Sequence, residues 1–440
     1  MKIACLSRAC VLFALLLAPL FLGCKTRQAS DPGDSPASDL ATDQQTLAQP
    51  KENEDADVAP DSYVLNAESL LAAALPAELL EQGWVRLFDG QSLVGWFSVG
   101  EANWQAKDGV IKVTRGERSY LCTNVMLVDY ELQLEFRSDP TTNSGVFLRT
   151  SPQPEDVSLD CLELNIAPPD NPFPTGSFVQ RKKVEPAELG DFDPTLWHKF
   201  RVRLVGEQVE VFLDDKQVAE IQDKTSVHRG HISLQHNEGR VEFRNIMLRP
   251  IHNEALKTGN DWQDDWTKSE KEEGTFSVES TEDGLKLVGG LGQLQSKRDF
   301  GDFFLQAKYT LARPEVNSGI FFRCVKDAML DGYECQLNHA TIDDDPLRPA
   351  DAGAGAIFRR QPARIVVGDG TQPTHISLFA SGQQMVTWVN GLQVAEFVDS
   401  RPPHDNPREG SRTAPGPIAI QGHDPTTEIV IHELAVSEAR

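Results

Sequence analysis

Residues that can exchange protons or bind hydroxyl groups alternate along two short segments of the C-terminal part of the chain. Glu334, Gln336 and Asn338 are spaced two residues apart, and so are Gln421 and His423. Alternate side chains of a β-strand point to the same face of a sheet, so each set is expected to share one face. A carboxylate or an imidazole can act as a general base, and amides both donate and accept hydrogen bonds. Glu334 and His423 are therefore candidate catalytic residues, and Gln336 and Gln421 are candidate substrate-binding residues.

A third alternating set adds a guanidinium group and an aromatic ring. Asn317, Gly319, Phe321 and Arg323 can share one face of a strand. The guanidinium of Arg323 has a fixed fork of donors that could stabilise an oxyanion, so Arg323 is a third candidate catalytic residue. Phe321 could stack on a ring of a ligand and Asn317 could bind a hydroxyl group, which makes both candidate substrate-binding residues.

Each of these assignments has a structural alternative. Residues 317–319 could form a turn that begins a strand, in which the glycine takes a special backbone angle. Arg323 and Glu334 could form an ion pair between neighbouring strands that serves only the fold. His423 could lie in a loop without a role. The sequence leaves these alternatives open.

An internal repeat indicates that the chain contains two copies of one domain. The segment NSGVFLR at 143–149 recurs as NSGIFFR at 317–323, and further matches follow in the same order. These further matches are DCLE at 160–163 with DGYE at 331–334, VAE at 218–220 with VAE at 394–396, and GHISLQ at 230–235 with GPIAIQ at 416–421. The first copy is predicted at residues 84–251 and the second at 262–440. The first copy supplies four more candidate substrate-binding residues, Asn143, Arg149, Glu163 and Gln235.

Alternation of polar and apolar residues predicts an all-β fold. The segment YELQLEFR at 130–137 alternates almost without interruption, and FRVRL at 200–204 and VEVFL at 209–213 repeat the pattern. Clusters of Asp, Gly, Asn and Pro separate such segments, which favours short strands packed as a sandwich or jelly roll. A lead-in helix is predicted at 63–83, because four of its leucines fall on one helical face, and it is expected to pack on the first domain.

The N-terminus has the features of an export signal. Lys2 and Arg8 flank the start of an apolar stretch that is too short to span a bilayer, and residues 1–24 are predicted to be a lipoprotein signal peptide. The segment FLGC at 21–24 resembles the lipobox of bacterial lipoproteins, which implies lipidation of Cys24. The alternative is a cleaved secretory signal without a lipid. We therefore expect an exported protein, lipid-anchored in the cell envelope on its periplasmic or outer surface.

The composition of the chain predicts a disordered linker, and its net charge excludes some classes of binding partner. Residues 25–62 contain no aromatic residue and are rich in polar residues and proline, so they are predicted to be a disordered acidic linker. The chain has 66 acidic and 42 basic residues, which gives a net charge of −24. Such a field repels nucleic acid and anionic membrane surfaces, so we expect no nucleic acid partner and a membrane contact only through the lipid anchor. It suits a neutral ligand, or an acidic ligand only if a metal ion mediates.

Four cysteines remain after the signal and Cys24 are set aside. They are Cys122, Cys161, Cys324 and Cys335. Four cysteines allow three pairings, and disulfides and buried free thiols both remain open at this point. Their spacing contains no C-x-x-C pair, so a zinc site is not expected.

Several motifs together resemble one enzyme family. They are GWVRLFDG at 83–90, LVGW at 93–96, the repeated NSGxFxR motif, and FRNI at 243–246. In this order they resemble the 3-keto-disaccharide hydrolases, whose activities include 3-keto-glucoside-1,2-lyase and 3-keto-2-hydroxyglucal hydratase. The resemblance implies two tandem concanavalin A-like jelly-roll sandwiches and a carbohydrate ligand.

The two copies differ from the family pattern in complementary ways. The second copy retains polar residues of the family's inner strands in YECQL at 333–337 and IQGH at 420–423. The first copy has LELNI at 162–166 and an asparagine at 237 instead of the histidine. We therefore expect the second copy to be the active one and the first to be degenerate.

The chemistry implied by the resemblance is elimination followed by hydration. A 3-keto group acidifies the sugar's C2 proton, so Glu334 or His423 could remove it while the aglycone leaves C1, with Arg323 stabilising the enolate. No cofactor is certain, and a divalent metal ion held by Glu334 and His423 is another way to stabilise that charge. The competing hypothesis is a non-catalytic glycan-binding or surface-interaction lipoprotein.

Overall fold

The computed structural model describes residues 66–224, 228–251 and 253–438. Over these residues the chain forms two β-sandwiches with few and short helices, which confirms the predicted all-β fold of two tandem jelly rolls. The predicted signal peptide, the lipidation at Cys24 and the linker at 25–62 lie outside the described residues. In the described part of the chain, no helix is long and apolar enough to cross a membrane.

The lead-in segment forms two short helices instead of the single predicted helix. These helices are α1 (Ala67–Ala72) and α2 (Ala77–Leu80). Pro76 begins the second helix, because a proline has no backbone N–H to donate and fits only at a helix start. Leu70 is fully buried in the hydrophobic cluster of the second sandwich. The first helix therefore packs on the second sandwich, contrary to the prediction. Leu79 and Leu80 of the second helix pack against Trp84 and Met247, at the first sandwich, as predicted.

The first sandwich consists of a larger and a smaller antiparallel sheet. In chain order its strands are β1 (Val85–Arg86), β2 (Trp96–Val99), β3 (Gln105–Lys107), β4 (Val110–Val113), β5 (Ser119–Thr123), β6 (Tyr130–Ser138), β7 (Asn143–Thr150), β8 (Leu162–Ile166), β9 (His198–Val205), β10 (Gln208–Leu213), β11 (Lys216–Gln222), β12 (His231–Glu238) and β13 (Val241–Pro250). The larger sheet has the order β11-β10-β9-β6-β13-β4-β3, with β1 paired to β13, and the smaller has the order β2-β5-β12-β7-β8. A short helix, α3 (Pro186–Leu189), lies between β8 and β9.

The second sandwich repeats this topology. Its strands are β14 (Glu254–Ala255), β15 (Trp266–Glu270), β16 (Phe276–Thr281), β17 (Gly284–Gly289), β18 (Gly292–Phe300), β19 (Phe303–Leu311), β20 (Gly319–Phe322), β21 (Tyr333–Gln336), β22 (Thr341–Ile342), β23 (Asp345–Pro349), β24 (Thr374–Ser381), β25 (Gln384–Val389), β26 (Leu392–Val398), β27 (Gly416–Gly422) and β28 (Glu428–Glu438). The larger sheet has the order β26-β25-β24-β19-β28-β17-β16 and the smaller the order β15-β18-β27-β20-β21. β14 pairs with β28, so this sandwich begins before residue 262. β22 and β23 form a separate hairpin.

Alternation along the strands places apolar side chains between the two sheets of each sandwich. In β6, Leu132, Leu134 and Phe136 are fully buried, whereas Gln133 and Glu135 are only partly covered. Burying each such apolar side chain contributes about 1.5–3 kcal/mol. The same alternation leaves the opposite face of each smaller sheet for polar side chains.

The two sandwiches pack against each other. Trp388 and Phe304 lie on the outer face of the larger sheet of the second sandwich and join the hydrophobic cluster of the first. Their rings stack with centroids 5.6 Å apart, and the indole N–H of Trp388 donates to the carbonyl oxygen of Arg86 at 2.9 Å. Arg364 of the second sandwich forms an ion pair with the buried carboxylate of Asp89 at 2.8 Å. Both sandwiches thus belong to one compact unit.

The four cysteines of the sandwiches are free thiols. All four are buried. Burial raises the pKa of Cys122 to about 11 and the pKa values of Cys161 and Cys324 to about 12. The structure therefore favours the buried thiols over the disulfides.

Candidate active site

The outer face of the smaller sheet in the second sandwich brings several candidate residues together. β20 pairs with β21 so that Gly319 lies opposite Gln336 and Phe321 lies opposite Glu334. The intervening Ile320 belongs to the core between the sheets. Because side chains alternate along a strand, Glu334, Gln336 and Phe321 lie on the face away from that core.

Glu334 is a buried carboxylate with unusual surroundings. It is 7% exposed, and no described side chain or backbone group donates a hydrogen bond to it. A Cβ atom at Gly319 would lie only 2.9 Å from its Cγ, so the glycine makes room for this side chain. Burial raises the pKa of Glu334 to about 7, and the positive charges of Arg408 and His423 oppose that rise. A carboxyl group with such a pKa can accept or donate a proton near neutral pH.

Two amides next to Glu334 are linked through one carboxylate. The side-chain N–H groups of Asn317 and Gln336 donate to Asp351 at 3.1 and 3.2 Å. The amide oxygen of Gln336 accepts from the backbone N–H of Leu337 at 3.0 Å. The amide oxygen of Asn317 is buried without a partner among the described residues. Asn317 therefore has a free acceptor, whereas Gln336 has its amide held in place.

The strand on the other side of β20 positions Gln421, and His423 lies just beyond the end of this strand, in the loop that follows Gly422. The hydroxyl of Ser318 donates to the carbonyl oxygen of Gln421 at 2.8 Å, which fixes β27 beside β20. The side-chain oxygen of Gln421 is buried and unpaired within the described residues, so it can accept a hydrogen bond from a ligand. The side chain of His423 is 43% exposed, and its Nδ1 lies 2.9 Å from the carboxylate of Asp424.

A cavity of about 160 Å³ opens beside Glu334 and is rich in arginine. It is lined by Glu334, Phe358, Arg359, Arg360 and Arg408, among other residues. Sequence reasoning missed these arginines, because they lie in loops far from the alternating segments. The only available signal was the density of arginines at 359–364 and 401–412.

Arg323 does not take part in this site. Its side chain is fully buried, and its guanidinium donates to the carbonyl oxygens of Gly301, Gly382 and Arg412 and to the carboxylate of Asp302. All these partners are protein groups that close the end of β20. The prediction that Arg323 stabilises a reaction intermediate is therefore wrong, and so is the alternative of an ion pair with Glu334.

Phe321 is likewise covered by protein. Its ring is fully buried, and the guanidinium of Arg408 lies 5.5 Å from the ring centroid. A sugar ring could stack on Phe321 only if Arg408 moved away. The structure therefore does not support the predicted stacking, and Phe321 instead supports Arg408 beside Glu334.

The first sandwich carries a related site. Glu163 lies opposite Phe147, as Glu334 lies opposite Phe321. Burial raises the pKa of Glu163 to about 7, while the positive charge of Arg118 and a hydrogen bond from Gln235 lower it. The side-chain oxygen of Gln235 is buried without a partner among the described residues.

The remaining candidates of the first sandwich serve its framework or lie at its edge. The guanidinium of Arg149 is buried and donates to Val128, Gly206, Asp129 and Asp223, so Arg149 is structural like Arg323 and not a substrate-binding residue. Asn143 lies at the start of β7, where it pairs with Glu238 of β12.

The histidine of the second site has no counterpart in the first. Ser144 donates to the carbonyl oxygen of Gln235 as Ser318 does to that of Gln421, which makes the two glutamines equivalent. Two residues further on, Asn237 occupies the place of His423 and is exposed.

The candidate metal ion has no matching ligand set. Within the described ranges, no three His, Cys, Asp or Glu side chains converge as metal ligands. Beside Glu334 the structure places cationic guanidinium groups, which would repel a divalent cation. We therefore assign no reaction step to a metal ion.

Comparison with known families gives one match over most of the chain. The model of a family described as a 3-keto-alpha-glucoside-1,2-lyase-like domain matches residues 83–249 and 254–432. These two segments correspond to the two sandwiches. No curated protein matches the chain.

Three solved structures with a similar arrangement each match less than half of the chain. Two are proteins of Parabacteroides distasonis proposed to be glycosyl hydrolases. The first is 18% identical over 41% of this chain and 99% of its own, with a TM-score of 0.36. The second is 24% identical over 38% and 99%, with a TM-score of 0.32. A third is carbohydrate binding module CBM66 from Bacillus subtilis, 13% identical over 35% and 95%, with a TM-score of 0.29. At these values the likenesses carry no functional argument.

Proposed function

This chain belongs to the family of 3-keto-alpha-glucoside-1,2-lyase-like domains, and on that premise we propose that its second sandwich cleaves 3-keto-glucosides by elimination and hydration. The observation that carries the proposal is Glu334, a buried carboxylate whose pKa is about 7 and which faces a cavity. Such a group is partly ionised at neutral pH and is basic enough to remove a proton next to a ketone.

The reaction runs in two halves. In the first, Glu334 takes the proton from C2, the bonding electrons form the enolate of the 3-keto group, and the C1–O bond breaks as the aglycone leaves. His423 lies near the same carboxylate and is suited to give a proton to the leaving oxygen. In the second half, water adds at C1 of the unsaturated sugar and a proton returns to C2. The sum of both halves is hydrolysis of the glycosidic bond.

Arg408, rather than Arg323 as the sequence suggested, is placed to stabilise the enolate. Its guanidinium lines the cavity beside Glu334 and rests over the ring of Phe321. A fixed cation at that place would stabilise the negative charge that develops on the enolate oxygen. The free acceptors of Gln421 and Asn317 are suited to hold sugar hydroxyl groups nearby.

A second candidate function is glycan binding without catalysis, and it fits the first sandwich best. Glu163 there has the same raised pKa, and the free oxygen of Gln235 can accept a hydroxyl proton. The position of the histidine is taken by Asn237, and an amide can neither donate a proton as an acid nor accept one as a base near neutral pH. The first sandwich would then bind a sugar without cleaving it.

The test compares two nearly isosteric substitutions in the full chain. A chromogenic 3-keto-glucoside is incubated with the parent protein, with Glu334→Gln and with Glu163→Gln, and release of the aglycone is followed. We expect Glu334→Gln to lower kcat by about a hundredfold or more, because it removes the base, and Glu163→Gln to retain most of the activity.

Thermal melts of both variants control for folding. Equal losses in the two variants would refute the assignment to the second sandwich. A parent protein that releases no aglycone but binds glycans measurably would instead establish the binding function.

A further inference from the structure

The cavity beside Glu334 contrasts with the charge of the whole chain. The chain carries a net charge of −24, yet three arginines, Arg359, Arg360 and Arg408, line this one cavity of about 160 Å³. If Arg408 stabilises the enolate, two further guanidinium groups remain beside the reacting sugar. A neutral sugar does not require them.

Arg359 and Arg360 form no ion pair with a described carboxylate, and the carboxylates whose charges reach them are Glu334 for Arg359 and Asp399 for Arg360. Arg359 is exposed, and its guanidinium has no hydrogen-bond or ion-pair partner among the described residues and lies 5.3 Å from the ring centroid of Phe358. Arg360 donates only to the carbonyl oxygens of Arg359 and Arg408, at 3.3 and 2.7 Å. Burial lowers the pKa of Arg360, and the nearby positive charge of Arg401 lowers it further. The lining of the cavity thus holds three guanidinium groups and one carboxylate, that of Glu334.

We propose that the sugar bound beside Glu334 carries an oxyanion, either a carboxylate or a sulfate ester, which binds between Arg359 and Arg360. This inference rests on the proposed function for the identity of the site, and it names the substrate class as an anionic glycoside. The planar fork of a guanidinium matches the paired oxygens of such groups. From the negative net charge of the chain we expected that an acidic ligand would bind only through a metal ion. In this cavity the arginines would bind such a ligand directly.

The first sandwich provides an internal comparison for this assignment. Ile357 forms isolated bridges to Cys335 and Gln361, as Phe178 does to Leu164 and Lys182. This correspondence places Gln180 where the second sandwich has Arg359, and both residues have a left-handed backbone, with φ of 61° and 59°. The same correspondence places Arg181, which donates to the carbonyl oxygens of Val157 and Ser158, where the second sandwich has Arg360. The first site therefore keeps one of the two guanidinium groups and is expected to have a weaker preference for an anion.

The experiment measures the affinity of the full chain for three probes by calorimetric titration at low salt. The probes are methyl glucuronide, methyl glucoside 6-sulfate and methyl glucoside. We expect at least one charged probe to bind about tenfold or more tightly than the neutral probe, and high salt to reduce that ratio. The charged probe with the larger ratio identifies the oxyanion.

Two variants distinguish binding of an anion in the cavity from a general effect of the protein's charge on the affinity ratio. Arg359→Gln introduces the residue of the first sandwich and should bring the ratio close to one. Arg203→Gln makes the same charge change on β9 of the first sandwich, where Arg203 pairs with Glu210 at 3.3 Å, and should leave the ratio as it is. If Arg359→Gln misfolds, Arg360→Gln provides the same comparison.

Equal affinities for charged and neutral probes would overturn the proposal, and so would a preference that survives both arginine substitutions. Its failure can be told apart from that of the proposed function. Turnover of neutral 3-keto-glucosides without any anion preference refutes only the anion site. An anion preference without turnover of any 3-keto-glycoside refutes only the catalytic function.

Discussion

Glu163 and Glu334, which occupy equivalent positions in the two sandwiches, both have a raised pKa. Burial raises the pKa values of Glu163 and Glu334 to about 7, because an ionised carboxylate loses hydration on this face of either sandwich. Their neighbours differ, since His423 approaches only Glu334. The near-neutral pKa of both glutamates thus follows from the fold that the two sandwiches share. A second group that can donate or accept a proton, His423, is present only beside Glu334.

This property predicts how stability depends on pH. The folded protein holds the proton of Glu334 more tightly than the unfolded chain does, whose glutamates titrate near 4.5. The contribution of protonated Glu334 to the free energy of unfolding is therefore fully present below about pH 4.5 and is lost as the pH rises through about 7. Glu334→Gln should remove this loss, so that the variant is more stable than the parent at pH 8 by up to about 3 kcal/mol and little changed at pH 4.5.

Denaturant unfolding at the two pH values measures the effect. Glu163→Gln is the matched control and should show the same gain in stability while keeping turnover. A Glu334→Gln variant that is less stable than the parent at pH 8 would contradict a raised pKa for this carboxyl group.

The pairing of β20 with β21 determines where the carboxylate of Glu334 can lie. Gly319 on one strand faces the side chain of Glu334 on the other, and a Cβ atom there would come within 3.0 Å of Oε1. The equivalent Gly145 is less crowded, because its nearest side-chain atom, Cγ of Glu163, is 3.6 Å from the corresponding position. The glycine in the NSGxFxR motif is therefore explained by space for a side chain rather than by a left-handed backbone.

Gly319→Ala should displace the carboxylate without removing it. Because proton transfer depends steeply on position, we expect kcat/KM for a 3-keto-glucoside to fall roughly tenfold to a hundredfold. Gly145→Ala, at the same place in the first sandwich, shows the cost of an added methyl group to folding and should leave turnover nearly unchanged. Full activity of a folded Gly319→Ala variant would show that the position of Glu334 does not limit the reaction.

The two sandwiches share a hydrophobic cluster. Phe304, Phe379, Val386 and Trp388 of the second sandwich pack with the core residues of the first. Arg229 and Asp302 add an ion pair between the two copies at 2.9 Å. We therefore expect the two sandwiches to unfold together, because neither can separate without exposing this apolar surface.

Trp388→Ala should weaken this coupling. Its side chain is 1% exposed, and truncation of such a residue costs about 3–5 kcal/mol. We expect scanning calorimetry to show one transition for the parent and two for the variant. Phe200→Ala, within the core of the first sandwich, should lower the melting temperature and keep a single transition. A single transition in Trp388→Ala with the parent's unfolding enthalpy would refute the coupling.

The features of this protein that depend on local periodicity could be predicted from its amino-acid sequence. Alternating residues such as those at 130–137 predict strands, and the repeated motifs predict two copies of one sandwich. The same period of two places Glu334 and Gln336 on one face of β21, because a strand directs its side chains to alternate sides. The seven-residue repeat could not show that its last residue is structural, since Arg323 finds its partners in loops that close the strand end.

The side chains that surround the candidate base could not be predicted in this way, because they come from distant segments of the chain. Arg359 and Arg408 are 49 residues apart in the chain and lie in different loops, and no periodic pattern relates them. The fold brings both to the cavity beside Glu334 and covers Phe321 with one of them. Periodicity describes a side chain relative to its own strand, whereas the charge and burial of a site depend on every segment packed around it.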